Sequence, residues 1–110
     1  MSTNIDFLIK KIKKNKFKNP KISYTSFLIK KGHKYCLKKI QEETLEFISA
    51  VKNNKNKKYI IYEGADLIYH LLVLLELRQV NFLKIIKELK RRTKFSGITE
   101  KNNRKNVQQK

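Results

Sequence analysis

Residues that end helices and form turns are scarce in this sequence, and this scarcity constrains the fold more than any other feature. Only three glycines and one proline occur in 110 residues. Few turn signals predict long helices joined by short connections. A chain of this length suffices for one domain and is too short for two. It can bury roughly two-thirds of its unfolded surface, which allows a modest core.

Apolar residues recur at helical spacing in five segments of the sequence. Hydroxyl groups at 23–25 can cap the second segment, and Gly32 ends it. Asn81 can cap the last one. The five predicted helices cover about residues 5–15, 26–31, 33–53, 57–79 and 82–93.

The two longest predicted helices each carry an apolar stripe. The stripe residues are Leu37, Ile40, Thr44, Ile48 and Val51 in the first helix and Ile61, Ala65, Ile68, Leu72 and Leu75 in the second. The second helix is also apolar outside its stripe, and a helix that is apolar on almost all sides must be buried on almost all sides. We therefore predict an all-α fold, an antiparallel helical hairpin plus flanking helices, whose bundle is completed by homodimerisation.

The ends of the chain carry no apolar segment of their own. The residues after Phe95 are mostly polar, so we predict one domain over residues 1–95 and a disordered basic tail over residues 96–110. The N-terminus lacks a secretory signal, and the longest apolar run, 71–75, is far below the ~20 residues of a membrane span. Cys36 is the only cysteine, which fits a reducing compartment. These features predict a cytoplasmic protein with no membrane partner.

The net charge of +18 favours, at first sight, a nucleic-acid or anionic-membrane partner. However, Lys, Asn and Ile fill 46 of the 110 positions, and all three are encoded by A/T-rich codons. The lysines are dispersed along the chain, and no nucleic-acid-binding motif accompanies them. Compositional bias is the preferred interpretation, so no specific nucleic-acid partner is expected, although positive charge can help to attract a polyanionic substrate.

Five of the nine acidic residues lie in two clusters: Glu42, Glu43 and Glu46, then Glu63 and Asp66. Spacings of three and four residues place each cluster on one face of its helix, roughly opposite the apolar stripe. Like charges this close repel one another unless a cation lies among them. The alternative is a solvated acidic face neutralised by the many lysines.

The two acidic clusters meet if the helices pair as an antiparallel hairpin. Their centres, near residues 44 and 64, are equidistant from a turn near residue 54, at about ten residues or ~15 Å from it. Carboxylate oxygens suit a hard cation, and Mg²⁺ is the usual one where phosphates complete the shell. Because Mg²⁺ usually takes one or two protein carboxylates, five of them suggest more than one ion.

Three side chains near the acids are candidates for substrate contacts. His70 follows Asp66 by one turn and can orient a carboxylate or contact the substrate, with a core or interface histidine as the alternative. Lys39, one turn before Glu43, can hold a phosphate or only balance charge. Tyr24 is the third candidate, although tyrosines more often pack against other residues.

The acidic clusters resemble the EExxE…ExxD signature of the all-α nucleoside-triphosphate pyrophosphatase superfamily. Three further segments resemble its phosphoribosyl-ATP pyrophosphatase family, and the likeness runs from about residue 5 to 93. These segments are Ser-Tyr-Thr at 23–25, KKIQEE at 38–43 and DLIYHLLVLL at 66–75. Gln41 and Gly64 depart from the usual Gly and Ala of this family, but neither departure removes a carboxylate.

The resemblance implies Mg²⁺-dependent hydrolysis of phosphoribosyl-ATP to phosphoribosyl-AMP and pyrophosphate, the second step of histidine biosynthesis. It implies Glu43, Glu46, Glu63 and Asp66 as metal ligands. Glu42 would be a ligand or the group that orients the attacking water, so that Glu42 and Glu43 are the expected catalytic residues.

Two other functions remain open from the sequence. Another pyrophosphohydrolase of the same superfamily, acting on free nucleoside triphosphates, would share the acids but not the segments at 23–25 and 69–75. A basic helical module that binds nucleic acid would show a lysine stripe along one helix face, whereas here acids occupy the most distinctive face.

Overall fold

The computed structural model describes residues 4–53 and 56–94 and, beyond them, Ile98, Lys101, Asn102 and Arg104. The part of the chain that it describes is built from α-helices, so the predicted all-α class is confirmed. The helices are α1 (Asn4–Asn15), α2 (Tyr24–Lys31), α3 (His33–Asn53), α4 (Lys57–Leu77) and α5 (Phe82–Arg92). The chain forms two compact units, Met1–Val80 with α1 to α4, and Asn81–Lys110 with α5.

Side chains of small polar residues begin three of the helices. The Ser23 hydroxyl accepts a hydrogen bond from the backbone N–H of Ser26 at the start of α2. Asn56 and Asn81 begin α4 and α5 in the same way. These contacts satisfy N–H groups that have no partner within the helix. Gly32, with φ of 92°, then allows α3 to start one residue after α2 ends.

Helix α4 ends at Leu77, two residues before the predicted end. Gln79 takes a left-handed conformation with φ of 60°. Its N–H donates to the Glu76 carbonyl, and the Val80 N–H donates back to the Leu75 carbonyl. This pair of hydrogen bonds closes the last turn and stops the helix. Glycine usually occupies that position, so the sequence at Gln79 carried no signal of the end.

Helices α3 and α4 form the predicted antiparallel hairpin and make the most extensive helix–helix contact in the first unit. Near the turn, Asn53 and Tyr59 line one cleft. Further along, a Cβ atom on Gly64 would lie 3.2 Å from the Phe47 ring. Facing residues are thus nearly equidistant from the turn, which brings the two acidic clusters to the same level.

The first unit has a small apolar core to which α1 and α2 both contribute. Its buried apolar residues are Ile12, Leu28, Cys36, Ala50, Leu72 and Val73. The Cys36 thiol donates to the Leu28 carbonyl at 3.2 Å, and burial raises the pKa of this thiol. Cys36 is therefore a core residue.

Ion pairs from the end of α1 and the residue that follows it hold this part of the chain to the C-terminal half of α4. The Lys13 and Lys16 ammonium groups lie 2.9 and 2.6 Å from the two carboxylate oxygens of Glu76. Helix α2 is tied to the preceding segment, since the Ser26 hydroxyl donates to the Lys18 carbonyl and the Ser23 hydroxyl to the Asn15 carbonyl. These contacts place Tyr24 and Thr25 beside α3 and α4.

The apolar stripes of the hairpin helices are largely exposed, because α3 and α4 pair through their acid-bearing faces. Leu37, Ile48 and Val51 of α3 are about half exposed, and Ile61 and Ile68 of α4 are 69% and 49% exposed. Only the C-terminal part of the α4 stripe is covered, at Leu72 and Leu75. One chain thus leaves much of its aliphatic surface in contact with solvent.

Among the described residues, no helix is long and apolar enough to cross a membrane. Most of the predicted tail, residues 96–110, lies outside the described residues, as does the centre of the predicted turn at residues 54 and 55. The boundary at residue 95 therefore stays a prediction.

Candidate metal centre

The hairpin brings three carboxylates of the two clusters together. One oxygen each from Glu43, Glu63 and Asp66 lies within 4.8 Å of the others. Glu43 projects from the middle of α3, and the other two project from successive turns of α4. Glu43 and Glu63 are each only 7% exposed. A solvated acidic face therefore does not describe this group.

Two of these carboxylates carry an oxygen whose hydrogen-bonding capacity is unused. The Oε2 atoms of Glu43 and Glu63 are buried and have no hydrogen-bond partner among the described residues. Burial raises the pKa of Glu63, and the charges of Glu46 and Asp66 raise it further. Burial and the charge of Glu46 also raise the pKa of Glu43. The fold therefore holds negative charge where it is costly unless a cation neutralises it.

The donor set suits a divalent cation of the hard type. Carboxylate oxygens are the only donors in the group, and hard cations such as Mg²⁺ and Ca²⁺ prefer oxygen ligands. A transition-metal site would be expected to include histidine or cysteine. The unpartnered oxygens of Glu43 and Glu63 fit this requirement, because each can bind an ion without giving up another contact.

The other two predicted acids lie at the edge of the group. Glu46 faces Glu63 across the hairpin, and both line the same cleft. Glu42 points away from the centre, and its carboxylate pairs with the Lys39 ammonium at 3.3 Å. The structure thus brings Glu46 beside the three central acids and leaves Glu42 on the rim.

Lys39 lies next to the acids, one helical turn before Glu43. Its ammonium is 3.9 Å from a Glu43 oxygen, and its side chain is 23% exposed. Burial alone would lower the pKa of Lys39, but the hydrogen bond with Glu42 and the nearby charges outweigh it, and the pKa is raised. The lysine therefore stays positively charged at the mouth of the site.

His70 occupies a fixed position between Asp66 and Tyr24. Its Nδ1 lies 2.7 Å from the Asp66 backbone carbonyl, which can only accept, so Nδ1 carries a proton. In the neutral ring, Nε2 then accepts a hydrogen bond from the Tyr24 hydroxyl at 3.2 Å. Burial raises the pKa of Tyr24, which keeps this hydroxyl protonated. Both candidates from the sequence thus meet at the site.

Aromatic rings surround this histidine. The Tyr24 ring stacks with Phe27 and Tyr69 at centroid distances of 5.9 and 6.1 Å and meets His70 edge-on. The Tyr69 hydroxyl and the Thr25 hydroxyl are 2.6 Å apart. Tyr69 thus packs within the fold, and its contact with Thr25 holds α2 against α4.

A cleft of about 450 Å³ adjoins the acids on the side nearer the hairpin turn. Glu46 and Glu63 are among the residues that line it. Its remaining lining comes from Ser49, Ala50, Asn53 and Tyr59. Sequence reasoning missed this cleft, although Ser49 and Asn53 follow Glu46 at spacings of three and seven residues and so share its helix face.

The comparison with protein families covers most of the chain. A family model described as phosphoribosyl-ATP pyrophosphohydrolase matches residues 6–93, which include every acid of the two clusters. The chain belongs to this family. The resemblance drawn from the acidic clusters and the three flanking segments is thereby confirmed.

Individual members of the phosphoribosyl-ATP pyrophosphohydrolase family show the same relationship. The phosphoribosyl-ATP pyrophosphatase of Vesicomyosocius okutanii is 50% identical over 84 residues, which cover 76% of this chain and 79% of that protein. The phosphoribosyl-ATP pyrophosphatase of Rhodobacter capsulatus is 39% identical over 100 residues, or 90% of this chain and 95% of that protein. The chain thus covers well over two thirds of the length of both relatives.

A third relative combines this family with another region. The histidine biosynthesis bifunctional protein HisIE of Wolinella succinogenes is 47% identical over 87 residues, which are 79% of this chain but only 38% of that protein. Its name places it in histidine biosynthesis, in agreement with the pathway expected from the sequence.

Proposed function

We propose that this chain hydrolyses phosphoribosyl-ATP to phosphoribosyl-AMP and pyrophosphate, the second step of histidine biosynthesis. The observation that carries the proposal is the group of Glu43, Glu63 and Asp66, with two buried, unpartnered oxygens, in a member of this family. A surface that only bound anions would not bury acids. The arrangement suits an enzyme that takes up a cation together with a phosphorylated substrate.

Mg²⁺ is the cation that we propose for the site. Glu43, Glu63 and Asp66 would hold it, with Glu46 as a further ligand from the opposite wall. When bound, the ion shields phosphate charge, acidifies a water molecule and stabilises the leaving pyrophosphate. A soft metal is disfavoured because the described donors are all carboxylate oxygens.

The remaining predicted residues have roles at the rim. Glu42 is exposed enough to accept a hydrogen bond from an attacking water and so to orient it. Lys39 supplies a positive charge for a phosphate group, at a distance where its pairing with Glu42 can be exchanged. Tyr24 and His70 keep a fixed hydrogen bond beside the acids, so that either can contact the substrate without first being ordered.

A second copy of this chain is the partner that we propose for the exposed apolar stripes. The stripe residues Ile48, Ile61 and Ile68, and Leu45 next to the α3 stripe, are about half or more exposed, although they lie on the two longest helices. Covering them would remove apolar surface from water, which stabilises association. The hairpin helices of two copies would then complete one bundle.

Two measurements test these proposals. Purified protein with Mg²⁺ is expected to release pyrophosphate from phosphoribosyl-ATP far faster than from ATP, GTP, CTP or UTP. Equal or faster turnover of an ordinary nucleoside triphosphate would favour the alternative pyrophosphohydrolase function.

Light scattering at micromolar concentration is expected to give about twice 13.2 kDa. Ile61→Asp should shift the particle towards the monomer, because a charge in an apolar interface is costly. Ile22→Asp, at an isoleucine that is 82% exposed outside the helices, is the matched control and should leave the mass unchanged. A folded wild-type monomer would refute the dimer.

A further inference from the structure

Tyr24 and His70 share a hydrogen bond beside the acids, but they differ in how far a ligand can reach them. His70 is 5% exposed, whereas Tyr24 is 47% exposed. Both ring nitrogens of His70 are engaged, Nδ1 with the Asp66 backbone carbonyl at 2.7 Å and Nε2 with the Tyr24 hydroxyl at 3.2 Å. Tyr24 is therefore the accessible member of the pair, and His70 has no ring nitrogen left to offer a substrate.

The direction of these hydrogen bonds follows from the backbone carbonyl. A carbonyl oxygen only accepts, so the proton of the neutral imidazole lies on Nδ1, and Nε2 is an acceptor. The Tyr24 hydroxyl then donates its single proton to Nε2. Its oxygen can still accept a hydrogen bond, but it has no second proton to donate.

The Tyr24 ring is held in place by its neighbours. It stacks with Phe27 and Tyr69 and meets His70 edge-on. The Tyr69 hydroxyl lies 2.6 Å from the Thr25 hydroxyl, which fixes the next residue of α2 as well. The hydroxyl oxygen of Tyr24 is thus presented in a fixed position, which lowers the entropic cost of one more hydrogen bond.

The substrate class offers this oxygen partners of two kinds. Phosphoribosyl-ATP carries phosphate groups on the ATP moiety and on the ribose attached to its base. Ionised phosphate oxygens are acceptors and cannot donate to Tyr24. Ribose hydroxyls can donate. The ribose bonded to the α-phosphate supplies the hydroxyls nearest the reacting phosphate.

Tyr24 lies close enough to the acidic group to meet that ribose. Burial raises the pKa of its hydroxyl, and the charges of Lys39 and Glu43 also act on it. Through His70, the same hydroxyl is linked to the backbone of Asp66. A cation held by the acids would bring the reacting phosphate, and with it the attached sugar, to this side chain.

We propose that Tyr24 determines specificity for the sugar: its hydroxyl oxygen accepts a hydrogen bond from a hydroxyl of the ribose bonded to the reacting phosphate, and His70 is a positioning residue that fixes the Tyr24 proton. The proposal rests on the proposed hydrolysis and narrows the contact to Tyr24. It implies a preference for ribose over deoxyribose that phosphate contacts cannot provide, because both sugars carry the same phosphates.

Substrates that lack one hydroxyl test the contact. The phosphoribosyl derivatives of ATP, 2′-deoxy-ATP and 3′-deoxy-ATP are compared with Mg²⁺ at about pH 8, above the pKa of an ordinary histidine. Wild type is expected to lose at least about tenfold in kcat/KM on one deoxy substrate, because the Tyr24 oxygen is then left without its donor. Tyr24→Phe should hydrolyse that substrate and the ribose form with kcat/KM values within about twofold of each other.

The readout is a ratio of two substrates on one variant, so a general loss of activity or of folded protein cancels. Tyr62→Phe is the matched control, because Tyr62 is an exposed tyrosine on α4. It should keep the wild-type preference. Equal preference in wild type and Tyr24→Phe would overturn the proposal. So would a wild type without any preference, as expected if the Tyr24 oxygen accepted only from water.

His70→Phe tests the positioning role, because it keeps a ring at this buried position and removes the acceptor of the Tyr24 proton. It should reduce the ribose preference in the wild-type background by about threefold and leave it unchanged in a Tyr24→Phe background. An equal effect in both backgrounds, or no effect in either, would overturn the assignment of His70.

Failure of the proposed hydrolysis would be seen separately, as wild-type protein that does not turn over phosphoribosyl-ATP. In that case calorimetric titration of AMP, 2′-deoxy-AMP and 3′-deoxy-AMP with Mg²⁺ tests the sugar contact. A preference for AMP that wild type shows and Tyr24→Phe lacks would support it. Equal preference in both proteins, or no binding of AMP, would overturn it.

Discussion

Glu63 is buried and Glu76, on the same helix, has a side chain that is only 10% exposed, yet their surroundings have opposite effects on the pKa values of the two carboxyls. Burial disfavours ionisation of both carboxyls. At Glu76, hydrogen bonds from Lys16 and Lys13 outweigh burial and lower the pKa below its ordinary value. At Glu63, the charges of Glu46 and Asp66 add to burial and raise it. One acid is matched with cations of its own chain, and the other is placed among further acids.

The difference separates a structural acid from a binding site. Lysine is the commonest residue of the chain, so the chain has many side chains that could pair with Glu63. The fold instead provides two lysines to Glu76, where they attach α1 to α4, and leaves the central acids for a cation from outside. Substitution of an acid that is paired with lysines, such as Glu76, should therefore lower stability. Substitution of a central acid, such as Asp66, should lower activity.

The largest expected effect is on turnover. Asp66→Asn or Glu46→Gln should lower kcat by at least about 1,000-fold with Mg²⁺, because losing several kcal/mol of metal-assisted stabilisation has that effect on rate. Thermal unfolding of the metal-free variants should occur at the wild-type temperature or above it, since a neutral isostere relieves like-charge repulsion. Activity comparable to wild type in either variant would show that the substituted residue does not belong to the site.

A second prediction concerns stability at the paired acid. Glu76→Gln should destabilise the protein by about 1–3 kcal/mol, because it removes the negative charge that pairs with Lys13 and Lys16 and replaces one of the two accepting oxygens with an NH₂ group. Denaturant unfolding measures this, and kcat of the remaining folded protein should stay near wild type. Glu88→Gln is the control: its pKa of about 2 reflects hydrogen bonds from Arg91 and Arg92, but these exposed pairs are screened by solvent and should contribute little.

A third prediction uses pH to separate the two kinds of acid in metal-free protein. The raised pKa of Glu43 means that the folded state holds this proton more tightly, so wild type should gain stability relative to Glu43→Gln as pH falls towards 5. The lowered pKa of Glu76 has the opposite effect on how stability changes with pH. Wild type should be more stable than Glu76→Gln at neutral pH, and this difference in stability should disappear as pH falls below about 4.5.

Melting temperatures over this pH range test both signs. The Glu43 effect should be the smaller of the two at neutral pH, because the charge of Lys39 partly offsets the repulsion. Parallel pH profiles for wild type and both variants would show that the two surroundings do not differ in the way the structure indicates.

The smallest expected effect is at Gly64, beside Glu63. Replacing a glycine within a helix by alanine favours the helix by up to about 1 kcal/mol, but the new Cβ would lie 3.2 Å from the Phe47 ring. Gly64→Ala should therefore be nearly neutral in the wild type and stabilising by about 1 kcal/mol in a Phe47→Leu background. A double-mutant cycle by denaturant unfolding measures the difference. Equal effects in both backgrounds would show that Phe47 does not explain the glycine.

Much of the fold followed from the sequence, because its signals are local. Helical periodicity and the caps at Ser23 and Asn81 placed the helices to within about two residues. The end of α4 was misplaced because a glutamine takes the left-handed position at residue 79. The exposure of the apolar stripes was not foreseen, since periodicity shows which residues share a face but not which face pairs with the neighbouring helix.

The candidate site was predictable in its acids and less so in its surroundings. The spacing of Glu43, Glu63 and Asp66 sufficed to predict their convergence, because a hairpin with a short turn fixes the relative height of its helices. Side-chain directions at the rim were not predictable, and Glu42 points outward towards Lys39. The cleft escaped notice because serine, asparagine and tyrosine carry no distinctive signal when they occur singly.

The hairpin that forms the site also has consequences for the speed of folding. Its two helices follow one another in the chain, so their pairing requires only a short loop to close and should occur early and quickly. That same step brings Glu43 close to Glu63 and Asp66. Three negatively charged carboxylates therefore approach one another before the rest of the unit assembles. Repulsion between the acids needed for binding would then lower the folding rate of the chain. A divalent cation or a low pH would reduce this repulsion and raise the rate.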